Sequence, residues 1–171
     1  FGSLLGHRRN NQQWLLHLLM KRLQLKYLFV YTTPIVILFS LWASGIWSFF
    51  ALFFIFGLIP LTELFTNGST YNLNGEEEEQ VKKNIVFDLI IYLLVPIQCV
   101  ILIYFLIQVS DESLPLYTRI GLTTAYGLAC GGLGINGAHE LGHRHTWYEQ
   151  LMSKLLLLST LYMHFFIEHN R

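Results

Sequence analysis

At 171 residues the chain is long enough for one sizeable domain, and its 11 basic and 11 acidic residues cancel to zero net charge. With only 13% charged against 53% hydrophobic residues, a broad basic face for nucleic acid is excluded, and a water-soluble domain would have difficulty burying so much apolar surface. The apolar residues fall in runs of membrane-spanning length, which gives an all-α integral-membrane fold class, a multi-span transmembrane helical bundle.

In chain order, residues 1–26 interleave His7, Arg8, Arg9, Lys21, Arg22 and Lys26 with leucines and Trp14, and read as a basic amphipathic helix at the membrane surface. Residues 27–65 form a first hairpin, with Pro34 in its first arm and a break at Ser44-Gly45. Its aromatics (Trp42, Trp47, Phe49, Phe50, Phe53, Phe54 and Phe56) suit lipid contact and packing, and some are available to line a hydrocarbon channel. Residues 66–84 are the main polar loop, with Asn67-Gly68-Ser69, the acidic run 76–79 and Lys82-Lys83. A second hairpin fills residues 85–138. Its first arm is interrupted by Asp88, Pro96 and Gln98, and its second is rich in glycine, which lets membrane helices approach closely. Residues 139–171 hold histidine motifs around a shorter fifth apolar segment, 151–167. The whole reads as a single membrane domain of four full spans plus a shorter fifth helix. Cys99 and Cys130 lie in apolar runs without Cys-X-X-Cys spacing and read as buried small hydrophobes. The chain starts at Phe1 and stops inside a motif, so it is expected to be part of a longer protein, incomplete at its C-terminus.

The basic residues ahead of the first span place the N-terminus in the cytoplasm, and Lys82-Lys83 agree with a cytoplasmic 66–84 loop. Four crossings then put His139 at the cytoplasmic end of the fourth span. The sequon at Asn67 would on that side go unglycosylated.

His139-Glu140-Leu141-Gly142-His143-Arg144 is the segment that carries chemistry. Residues four apart on a helix share a face, about 6 Å apart along the axis, so the two imidazoles stand side by side as metal ligands. At a membrane boundary ionisable groups are expensive and usually functional. His169, in Glu168-His169-Asn170-Arg171, is a further imidazole. Glu140 and Glu168 are candidates for orienting a ligand histidine from outside the metal's own shell. Arg144 suits an ion pair with a carboxylate or a lipid headgroup. His145 points about 100° away from His143. His164 reads as a packed residue, and His7 and His17 belong to the basic helix. The spelling His-Glu-x-x-His equally fits an intramembrane zinc protease, with Glu140 as general base and Glu168 or a later acid as third ligand.

The run from Asn136 to Arg144, followed by Phe166-Ile167-Glu168-His169-Asn170-Arg171, resembles the membrane alkane monooxygenases of the fatty-acid desaturase and hydroxylase superfamily. The order of hairpin, polar loop, hairpin and histidine motif is similar too. The resemblance implies a non-haem centre of two iron ions, with His139, His143 and His169 as metal ligands and further ligands beyond Arg171. It implies a terminal-carbon hydroxylation of alkanes that uses O2 and electrons from a rubredoxin-type donor. The implied setting is a bacterial inner membrane with the metal site facing the cytoplasm, membrane lipid around it, a hydrocarbon substrate and no nucleic acid. Xylene-type hydroxylases and fatty-acid desaturases of the same superfamily are near alternatives. The 171-residue piece alone, with three ligands, is expected to be inactive and not to assemble the di-iron centre.

Overall fold

The computed structural model describes residues 18–66, 74–75, 79, 81 and 84–169. The basic stretch up to His17, the Asn67 sequon, Glu76 to Glu78, Lys82-Lys83, Asn170 and Arg171 lie outside the described residues. Among the described residues the elements are helical and none is a strand. Helix α1 runs Leu18–Ala43 and tightens into a 3-10 turn at Phe29–Tyr31. That turn precedes Pro34, whose missing N–H cannot serve a regular α-helical ladder. Helix α2 runs Gly45–Phe65, with a π-helical stretch at Phe54–Leu58, and α3 runs Ile85–Val109. Helix α4 spans 116–142, continuous through a second π-helical stretch at Cys130–Ile135. Helices α5, Trp147–Ser159, and α6, His164–His169, complete the chain.

Three of these helices, α1, α2 and α3, are long and apolar enough to cross a membrane, one fewer than the four full spans expected. Helix α4 is about 40 Å long at 1.5 Å per residue. However, Thr118, Arg119, Thr123, Thr124 and its glycines dilute its apolar character. The basic residues Lys21, Arg22 and Lys26 lie on the first turns of α1 itself rather than on a separate surface helix. Cys99 is a second correction: it is exposed on α3, as a lipid-facing residue is, while Cys130 is half-buried. Trp42, Trp47, Phe53 and Phe56 are likewise exposed, and Phe50 and Phe54 pack on the core.

Contacts divide the chain into two compact units, residues 1–29 with 69–90 and residues 30–68 with 91–171. In the first, Tyr27 meets Phe87 edge to face with ring centres 5.0 Å apart. The second holds two apolar cores. One joins Val36, Ile37 and Leu41 of α1, Ala51 of α2, Leu94 and Ile101 of α3, and Leu122, Ala125, Ala129 and Leu133 of α4. The other joins Val95 of α3, Ala138 and Leu141 of α4, and Leu156 and Leu157 of α5, with Phe165 and Phe166 of α6 packed against it.

Lipid supplies no hydrogen bonds, so polar side chains close the backbone groups that helix ends leave open. The Ala51 N–H donates to Ser40 Oγ at 2.8 Å, where the 3-10 start of α2 gives way to α-helix. Gln108 Nε2 donates to the Leu41 carbonyl in the last turn of α1 at 3.1 Å. Tyr126 Oη donates to the Ser159 carbonyl at the end of α5. Ser153 Oγ ties α5 to the Ala138 carbonyl of α4 at 2.7 Å.

The glycines of α4 are not equivalent. A Cβ at Gly121 would fall inside the Ser48 side chain, and one at Gly134 would collide with Thr160. At Gly137 it would press on Leu156 Cδ1 at 3.1 Å, whereas at Gly127 and Gly131 nothing lies within 4 Å. The break between α1 and α2 has left-handed backbone at both Ser44, φ 55°, and Gly45, φ 53°.

Gly121→Ala is therefore expected to destabilise the detergent-solubilised protein by about 1–3 kcal/mol, the usual cost of overpacking. Gly127→Ala is expected to leave the thermal unfolding midpoint unchanged or slightly raised. Equal effects at the two positions would show that α4 is not held by close approach at Gly121.

Candidate metal site

His139 lies in the last turn of α4, and His143 is the residue that caps its C-terminus, with φ −79° and ψ −9°. The chain then reverses through residues 143–146 into α5. After α5 it turns back again at Leu161, whose backbone is left-handed at φ 57°. The Tyr162 N–H donates to the Leu157 carbonyl at 3.0 Å and the Leu161 N–H to the Leu158 carbonyl at 3.1 Å. This pair of bonds is the Schellman closure, built here on leucine where glycine is usual. The reversal brings α6 and His169 back to the end of α4.

The three histidines converge. His143 Nε2 stands 3.3 Å from His139 Nε2 and 3.2 Å from His169 Nε2. One ligand atom from each lies within 4.8 Å of the others. Two nitrogens bound to one first-row metal at about 2.0–2.1 Å each stand roughly 3–3.4 Å apart, so the spacings of His143 to His139 and to His169 are those of neighbouring metal donors. All three rings are exposed on the protein surface. Phe165 stacks on His169, with ring centres 4.9 Å apart and planes 9° apart, and lies 6.3 Å from His139. Tyr162 stacks in turn on Phe165 at 5.7 Å. This aromatic shelf fixes the plane of the His169 ring.

The structure does not gather every histidine. His145 is exposed beyond the end of α4. His164, expected to be packed, is exposed and meets the Tyr162 ring edge-on at 4.3 Å. Glu168 is exposed on α6. The Glu140 carboxylate accepts from Arg144 Nη2 at 3.2 Å. Glu140 is on α4 and Arg144 just past its end, in the reversal.

One residue went unweighed in the sequence. Glu149 on the first turn of α5 is only 4% exposed. Its Oε1 accepts a 2.6 Å bond from Tyr92 Oη of α3 and lies 3.6 Å from Arg144 Nη1; its Oε2 accepts from the Thr146 hydroxyl. Burial pushes its carboxyl up, but the Thr146 and Tyr92 hydroxyls and the Arg144 guanidinium outweigh that and hold it below the usual glutamate range. Thr146-x-x-Glu149 is a capping-box spelling ahead of an apolar run, the one signal in the sequence that marks it.

No protein-family model matches the sequence. The chain is similar to alkane 1-monooxygenase 1 of Alcanivorax borkumensis, 31% identical over 141 residues, 81% of this chain and 35% of that protein. It is also similar to alkane 1-monooxygenases of Pseudomonas putida, at 31% identity over 68% of this chain and 29% of the relative, and of Ectopseudomonas oleovorans, at 28% over 85% and 38%. The chain thus spans about a third of the length of the curated relatives it matches.

A carboxyl whose folded pKa is depressed adds stability that is complete above its unfolded value, about 4.3 for glutamate, and lost as pH falls through the folded value. The acid limb of thermal stability is accordingly expected to shift when Glu149→Gln removes this group: the variant loses stability at neutral pH and converges with the parent in strong acid. A stability difference that stays constant from pH 7 to below pH 4 would contradict the ionised, hydrogen-bonded carboxylate.

Proposed function

Because the chain belongs to the alkane 1-monooxygenase family, we propose that it carries part of the metal centre of a membrane-bound, non-haem iron monooxygenase acting on the terminal carbon of alkanes. The observation that carries this reading is the meeting of His139, His143 and His169 through their Nε2 atoms at the end of a membrane-helix bundle. The reaction converts R–CH3, O2, two electrons and two protons into R–CH2OH and water. The electrons come from a rubredoxin-type donor protein. Iron held by these imidazoles, a pair of ions with the remaining ligands supplied from elsewhere in the protein, would supply the activation of O2.

The chain's own residues do the rest. The three imidazoles would hold the metal through Nε2, each then carrying its proton on Nδ1. Phe165, stacked on His169 and backed by Tyr162, holds the His169 ring in plane. A saturated hydrocarbon offers no polar handle, so its orientation must come from apolar walls, and the bundle's aromatic and aliphatic side chains are of the right kind. A site on the cytoplasmic side of a bacterial inner membrane would give a soluble electron donor access.

The test combines metal analysis with product formation on the protein in its native membrane. His139→Ala and His143→Ala are expected to lose bound iron and to lower 1-alkanol formation from an n-alkane by more than the ~10–100-fold typical of an outer-shell loss. Unchanged terminal hydroxylation in either variant would refute the assignment. Zinc in place of iron, with peptide cleavage, would favour the protease that His139-Glu140-Leu141-Gly142-His143 also spells.

A further inference from the structure

His143 is the C-terminal capping residue of α4, so its direction depends on the reversal through residues 143–146 that follows it. That reversal is gripped from both sides. Gln150 Nε2 donates to the Arg144 carbonyl at 3.2 Å, and the Arg144 guanidinium lies between Glu140, at 3.2 Å, and Glu149, at 3.6 Å. Glu149 is in turn fixed by Thr146 within the reversal and by Tyr92 of α3, 57 residues away in sequence.

A capping-box glutamate with no further task faces solvent. This one is 4% exposed and bonded to a distant helix. Other contacts hold α5 as well. Ser153 ties α5 to the Ala138 carbonyl, and Leu156 and Leu157 bury it against α4. What Glu149 adds is a fixed position for Arg144, the residue next to His143. Two carboxylates around one guanidinium also leave a net negative charge beside the imidazoles, which favours a cation there.

We propose that Glu149 is a positioning residue for the histidine cluster, setting the direction of His143 through Arg144 and the 143–146 reversal, with Tyr92 as its anchor on α3. The proposal rests on the reading of the cluster as a metal site. Residues that orient a metal ligand from outside its shell typically cost 10–100-fold in metal affinity when lost.

The test titrates Co2+ into the metal-stripped, detergent-solubilised protein and reads the affinity and the visible absorption envelope of the bound ion. Glu149→Gln is expected to weaken Co2+ binding roughly 10–100-fold and to change the envelope. Tyr92→Phe should move both in the same direction by less, and Glu149→Asp should recover part of the loss. A purely structural role would lower the unfolding temperature and leave both readings of the bound ion untouched. Parent-like affinity and envelope in Glu149→Gln would therefore overturn the proposal. Should that variant fail to fold, parent-like values in Tyr92→Phe would overturn it instead. If the parent binds Co2+ no more tightly than His143→Ala does, the metal-site reading itself fails and takes this proposal with it.

Discussion

Helices in lipid gain nothing from hiding apolar surface, because the tails around them are as apolar as the side chains they would bury. Their association has to come from close packing and from hydrogen bonds that water cannot replace. In this chain both converge on α4. Gly121 lets it lie against Ser48 of α2, Gly134 against Thr160, and Gly137 against Leu156 of α5, each at a distance that leaves no room for a methyl group to be added without a shift. These contacts lie on different sides of one rod, so they fix its rotation as well as its position. The rotation decides where His139 points, and so the histidine cluster depends on glycines as far along α4 as Gly121.

From the end of α4 the chain needs two reversals to return His169 to His143. The first is held by side-chain hydrogen bonds around Arg144 and Glu149. The second sets Leu161 in a left-handed conformation that costs an L-residue about 1–2 kcal/mol. The backbone bonds from Tyr162 and Leu161 offset part of that cost, and Phe165 and Phe166 close over the core that Leu156 and Leu157 form. A short α6 is the result, with its aromatic side chains turned to the histidines and to the α4–α5 core.

How much of this was legible in the sequence follows from how local each signal is. The pair His139 and His143 could be read because helical period alone brings them together. The all-helical membrane class could be read from the length of the apolar runs. His169 was named by resemblance, since nothing in its spacing tells that α5 folds back. The fourth span was miscounted: a helix that packs through glycine and threonine is long enough to cross but lacks the hydropathy of one that faces lipid. Cys99 was misplaced for a related reason, because an apolar run does not reveal which of its faces meets lipid. Glu149 carries little local signal, since its partner Tyr92 lies on another helix and only the Thr146-x-x-Glu149 spelling is local.

The residue between the two histidines belongs to the ion pairs beside the cluster. In the zinc-protease spelling the same glutamate is the general base. Here Glu140 on α4 pairs with Arg144, which lies just past the helix end in the 143–146 reversal, and Arg144 also meets a second carboxylate at Glu149. The histidine face is left with nitrogen donors alone, joined by a third nitrogen from α6. A set of imidazole donors beside a net negative ion-pair network is the kind of surroundings that suits a transition-metal cation.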